Sequence, residues 1–162
     1  MRVYHGATIA IPRPLVNVGR KHLDFGEGFY VTDLPQQAIS WAQRPINAGK
    51  CHILNTYELD IEGVLSAGYR YKHFFAYDSE WLEFVVANRR GEQLWKEYDI
   101  VAGGIANDRV FNTIELYVAG LTPMEVALKK LQYEKPNNQI CLLRQSLVDD
   151  YLHFVEAKQI EP

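Results

Sequence analysis

Three short segments of this 162-residue chain carry side chains able to do chemistry. Val3-Tyr4-His5-Gly6 sets an imidazole beside a glycine near the start. Phe25-Gly26-Glu27-Gly28-Phe29-Tyr30 leads a tyrosine out of a turn that two glycines allow to bend sharply. Asn137-Asn138-Gln139-Ile140 carries a glutamine into an apolar run, and its amide offers a hydrogen-bond acceptor without charge.

Other chemistries lack their spacing. Gly26-Glu27-Gly28 has no third glycine for a dinucleotide fingerprint, and no Gly-Lys-Ser/Thr occurs for a phosphate loop. His5, His22, His52, His73 and His153 show no HxH or HExxH spacing, so no metal site is expected. Cys51 and Cys141 are too few for a disulfide scaffold or a four-cysteine metal site. Cys51 and His52, as neighbours on a strand, would point to opposite faces. Cys51 therefore reads as a buried core cysteine rather than half of a nucleophile pair. Ser66 and Ser79 lie outside any nucleophile elbow.

In their order, the three segments resemble the ADP-ribosyltransferase superfamily, in the branch with a His-Tyr-Glu triad shared with diphtheria toxin and the poly-ADP-ribose polymerases. The matching positions are His5, Tyr30 and Gln139. With Asp24-Phe25-Gly26, Trp81-Leu82, Ala106-Asn107-Asp108 and Tyr133-Glu134-Lys135, the pattern from about Arg2 to Phe154 also looks like a bacterial domain family of unknown function. That family has been placed in the superfamily by resemblance.

The resemblance implies an α+β fold with split mixed or antiparallel sheets and peripheral helices around an NAD cleft. It implies a mono-ADP-ribosyltransferase, a glycosyltransferase in class, using NAD as substrate and no metal. His5 would hold the dinucleotide through ribose or adenosine hydroxyls. Gly6 would leave room for the nicotinamide amide to reach the backbone. Tyr30 would offer an aromatic face to the cationic ring, with Gly28 in the turn that brings it there.

At the third position the relatives carry a carboxylate that bonds the ribose 2′-OH. Gln139 keeps an acceptor and loses the charge, a deficit of about 2–4 kcal/mol, or two to three orders of magnitude in rate. Glu27, Glu134 or Asp108 could replace that charge. Distortion of NAD could drive departure instead, or the site could bind NAD or ADP-ribose without turnover. Arg20 is a candidate for the pyrophosphate, and Asn107 opens a helix whose N-terminus could face the phosphates. Asn137, two residues before Gln139, is neither Gln nor Glu, so an arginine-modifying signature is absent. The acceptor is then a macromolecule, protein or nucleic acid. A toxin-like role with a neutralising partner protein is also implied.

By residue type alone, blander roles stand beside each of these. His5 also reads as a strand histidine with a backbone partner, Tyr30 as a core aromatic with a bonded hydroxyl, and Gln139 as an exposed residue after a turn. Arg20 also reads as a solvated loop charge and Asn107-Asp108 as a helix cap. A protein-interaction module without a nucleotide site is the corresponding alternative function.

Around these residues the chain reads as short, mixed elements. Strands are expected at Arg2–His5, Phe29–Val31, Cys51–Asp60, Tyr98–Ala102, Gln139–Leu143 and Tyr151–Val155. Thr32 or Asp33 should cap a helix with Pro35 in its first turn and a stripe of Ala38, Ile39, Trp41 and Ala42. Asp78 or Ser79 should cap another, with Trp81 as core anchor, Arg89 and Arg90 in the last turn and Gly91 as C-cap. Asn107 or Asp108 should open a third, with Val110, Phe111, Ile114, Tyr117 and Val118 inward. Thr122-Pro123-Met124-Glu125 is a capping-box signature for a fourth. The absence of a regular βαβ rhythm favours α+β over a doubly wound sheet.

Hydrophobic residues make up 48% and charged residues 23%, which excludes disorder. The length fits one domain over residues 1–162. A net charge of −3 and a pI of about 5.9 argue against bulk electrostatic binding of nucleic acid. Arg89-Arg90 and Lys129-Lys130 therefore read as favourable charge at helix ends. No apolar run approaches the ~20 residues of a membrane span. The start lacks a secretory apolar run, so a cytoplasmic location is expected.

Overall fold

The computed structural model describes residues 1–104, 108–134 and 137–161. Among them the chain folds as α+β, with seven strands in two sheets and six α-helices.

The first sheet is antiparallel, in the order β1 (Arg2–Ala7), β3 (Ile53–Leu59), β7 (Leu152–Gln159). The second runs β2 (Phe29–Val31), β6 (Gln139–Leu142), β5 (Ile100–Gly103), β4 (Tyr71–His73). It is mixed, because β4 lies parallel to β5 and the other pairs are antiparallel. Tyr4 and Thr32 exchange backbone hydrogen bonds at 2.7 and 2.9 Å, stitching β1 to β2 where the two sheets meet.

The alternation of side chains in the second sheet sorts two cores. Ile140 and Leu142 pack with Phe29, Val31, Val3, Tyr57 and Leu59 between the sheets. Cys141 and Val101 face the opposite way, into a core with Trp81, Leu82 and Val85 of α3 (Ser79–Arg90), Ile114 of α4 (Asp108–Val118) and Leu131 of α5 (Met124–Leu131). By the same parity Gln139 and Tyr30 belong to this second face. α3 carries the caps read from the sequence. The Asp78 carboxylate accepts from the Trp81 N–H at 2.9 Å, and Gly91 closes the helix at φ 89°. Trp81 is fully buried, its indole N–H donating to the Gly104 carbonyl at 3.0 Å.

Several expectations need correction. α1 (Pro35–Ala42) has Pro35 in its first turn, but Leu34 is its N-cap and no side chain caps it. Thr32 instead accepts from the Leu34 N–H and donates to the Asn138 carbonyl. α5 has Pro123 as its N-cap, and no side chain caps it, so no capping box forms. Phe111 is half-exposed, covered by the Arg89 guanidinium 4.7 Å from its ring centre rather than by the core. Cys51 is exposed, because β3 starts two residues after it; the buried cysteine is Cys141.

Three short elements have no counterpart in the sequence reading. They are β4, α2 (Ile61–Ser66), which Asp60 caps through the Gly63 N–H, and α6 (Gln145–Tyr151). β7 also runs beyond Val155 to Gln159. Its last residues are polar and exposed, and their pairing with β3 holds them extended. Among the described residues no helix is long and apolar enough to cross a membrane.

Candidate functional site

Where β1, β2 and β6 converge, a cleft of about 400 Å³ opens. His5 and Gly6 of β1, Tyr30 of β2 and Gln139 of β6 all line it, with Arg20 from the β1–β2 loop. Residues 25 and 109 positions apart in the chain thus share one wall, because β1 is stitched to β2 and β2 pairs with β6.

The His5 Nδ1 lies 2.7 Å from the Tyr30 carbonyl oxygen. A carbonyl only accepts, so Nδ1 carries the proton and Nε2 of the neutral ring remains an acceptor. Burial pushes the His5 pKa below its ordinary value, against the smaller upward pull of that bond. The imidazole lies against Phe29, with ring centres 4.6 Å apart.

Tyr30 turns back across the glycine turn, its hydroxyl donating to the Gly26 carbonyl at 2.6 Å. Burial raises its pKa well above the usual phenol range, with Cys141 and Asp24 adding to the rise. The phenol therefore stays neutral, and the pinned ring can offer a face but not a base. Gly26 has φ 100°, and a Cβ there would meet the Trp95 ring at 2.3 Å. Both facts require glycine.

Gln139 is only 8% exposed and pairs with Gly103 of β5. It is a buried residue at a strand start, not the exposed one its type suggests. Its amide makes no hydrogen bond to the described residues, and it lines the cleft.

The other expected positions divide. A Cβ on Gly6 would lie 1.8 Å from the Ala38 carbonyl oxygen, so this glycine is needed where α1 crosses β1, whatever else it admits. Gly28 is absent from the cleft lining; a Cβ there would strike Leu142 O at 2.4 Å and Cys141 Sγ at 2.6 Å, so close packing on β6 requires it. Glu27 and Glu134 do not line the cleft. Asn107 lies outside the described residues, as does the side chain of Asp108.

Five polar or aromatic residues of the cleft are not singled out for this site by sequence. Trp41 and Arg44 come from the end of α1 and the turn after it. Asn47 fixes that turn by donating to the Ala42 carbonyl at 3.0 Å. Asp24 and Arg89 form an ion pair at 2.7 Å in the wall, with side chains 14% and 16% exposed. By sequence Trp41 belongs to an apolar stripe and Arg89 is a helix-end charge; in the structure Arg89 is both that and the partner of Asp24. Arg20 and Arg44 are exposed and make no ion pair among the described residues. The lining thus carries three guanidiniums against one carboxylate. No cluster of metal-ligating side chains occurs among the described residues.

An α+β protein with a polar, aromatic-walled cleft at the junction of two sheets is the class these features define. Residues 1–154 match DUF3990, described as a protein of unknown function, and the chain belongs to that family. No curated protein matches it, and no solved structure does.

Proposed function

We propose that this protein is an NAD-dependent mono-ADP-ribosyltransferase whose cleft holds the dinucleotide. The observation that carries the reading is the convergence of His5, Tyr30 and Gln139 on one cavity. The resemblance to the ADP-ribosyltransferase superfamily requires that convergence, and the sequence alone does not guarantee it.

The cleft's chemistry supports the same ligand. NAD is anionic at its pyrophosphate and cationic at its nicotinamide. Arg20 and Arg44, which make no ion pair among the described residues, supply two guanidiniums for the former. Tyr30 and Trp41 supply aromatic faces for the latter. The bare Nε2 of His5 accepts from a ribose hydroxyl. In the reaction the bond between ribose C1′ and the nicotinamide nitrogen breaks, and its electron pair neutralises the pyridinium. A lone pair on the acceptor forms the new bond to C1′, and the acceptor's proton passes to solvent. The acceptor is a protein side chain or a nucleobase, and a toxin-like role with a neutralising partner protein belongs to this reading.

Incubation with labelled NAD and a cell extract tests it. Label should move to a macromolecule, and both His5→Ala and Tyr30→Ala should abolish the transfer. Transfer that persists in both variants defeats the proposal.

Gln139 favours a second reading, a relative that binds NAD or ADP-ribose without turnover. An inactive wild type in which Gln139→Glu gains NAD hydrolysis would support it, since only the charge would have been missing.

A further inference from the structure

Gln139 leaves the transferase reading without a charge where positive charge develops on the ribose. We propose that Asp24 supplies it: Asp24 is a catalytic residue whose carboxylate faces the nicotinamide ribose as the glycosidic bond stretches. This inference rests on the transferase reading and adds a residue that the family resemblance does not assign.

Asp24 is the one carboxylate among the described residues lining the cleft. Asp33, whose Oδ1 is buried without a partner among the described residues, is not part of that wall. Asp24 is also rigidly placed. Arg89 Nε donates to its Oδ1 at 2.7 Å, and Asn88 Nδ2 donates to its backbone carbonyl at 2.9 Å, so α3 holds both ends of the residue. A preorganised charge of this kind acts without rearranging during the reaction.

The ion pair does not cancel the charge. Arg89 is shared, because its Nη1 also approaches Glu115 Oε1 at 3.4 Å and its guanidinium lies over the Phe111 ring. Glu115 thus draws on the guanidinium that pairs with Asp24, so Arg89 is divided between two carboxylates. Arg89 Nε engages only Oδ1, and Oδ2 makes no hydrogen bond to the described residues. Low exposure of both partners keeps water from screening the site. The cleft is therefore bipolar. Arg20 and Arg44 mark a cationic part for the pyrophosphate, and Asp24 marks an anionic part for the ribose cation. Departure of nicotinamide leaves that cation, which water or the acceptor then captures.

The test is nicotinamide release from NAD by wild type, Asp24→Asn, Asp24→Glu and the double variant Asp24→Asn with Gln139→Glu, each checked for thermal stability and for NAD binding by calorimetry. Expected is a fall in kcat of about 100-fold or more for Asp24→Asn with KM changed by less than about threefold. Asp24→Glu should retain more activity than Asp24→Asn. Restoring a carboxylate at 139 should recover at least about tenfold of the loss, which a purely structural role for Asp24 does not predict. Wild-type kcat in a folded Asp24→Asn protein, or no recovery from Gln139→Glu, overturns the role of Asp24 alone. A wild type that binds no NAD and releases no nicotinamide overturns the transferase reading, and this inference with it.

Discussion

His5 donates through Nδ1 to the Tyr30 carbonyl at 2.7 Å, tying β1 to β2 beside the seam between the sheets. This one bond fixes the tautomer, leaves Nε2 as an acceptor and holds the strand that carries Tyr30. His5 is thereby a structural latch, and under the transferase reading its second nitrogen is the ligand contact.

Acid should break that arrangement. Burial sets the His5 pKa below the ordinary value of about 6.5. The ring is therefore neutral at pH 7, and its contribution to stability is present above that ordinary value and lost as pH falls through the lowered one. NAD affinity should be flat from pH 8 to about 6.5 and fall at lower pH as Nε2 takes a proton. Calorimetry across this range checks it, and affinity unchanged down to pH 5 removes His5 as an acceptor.

Tyr30 separates ring from hydroxyl. The hydroxyl is committed to the Gly26 carbonyl, so Tyr30→Phe should keep NAD binding within about threefold and lower stability by about 1 kcal/mol. Tyr30→Ala should remove binding. Equal losses of binding in the two variants would mean that the hydroxyl, not the face, touches the ligand.

Arg20 and Arg44, without an ion pair among the described residues, should act as exposed cations. Replacing Arg44 with Gln should weaken NAD by roughly five- to tenfold at low salt, with a smaller difference at high salt, where a Debye length of about 3 Å screens exposed charge. A salt-independent loss would point to packing instead.

Away from the cleft, Asp99 ties three strand ends together. It accepts from Arg70 Nη2 at 2.9 Å and from Arg144 Nε at 2.7 Å, joining the starts of β4 and β5 to the end of β6. Those guanidinium bonds hold its pKa well below the usual carboxylate range, against the opposing pull of burial. The stability it contributes is fully present above the unfolded aspartate value, about 3.9, and is lost as pH falls below it. Asp99→Asn should cost about 1–3 kcal/mol in urea unfolding at pH 7, and much less near pH 2. An equal cost at both would assign the loss to shape rather than charge.

Elements whose signals are local were legible in the sequence. The buried run of β5, the Asp78 cap and Gly91 stop of α3, and the glycine turn before Tyr30 each announce themselves within a few residues. Short pieces were not: β4 spans three residues and exists because the backbone of β5 pairs with it. The site divided along the same line. His5, Tyr30 and Gln139 were visible through their segments. The Asp24–Arg89 pair, 65 residues apart, exists only once α3 packs against the β1–β2 loop. Trp41 looked like core because a helix stripe does not reveal which of its residues stands at the rim.

Whether the cleft takes NAD is measured most directly by titrating NAD into wild-type protein, His5→Ala and Tyr30→Ala in a calorimeter. Expected is saturable one-site binding to wild type that both substitutions abolish or weaken by at least about tenfold. No heat from the wild type at millimolar NAD, or unaltered binding in both variants, would contradict it.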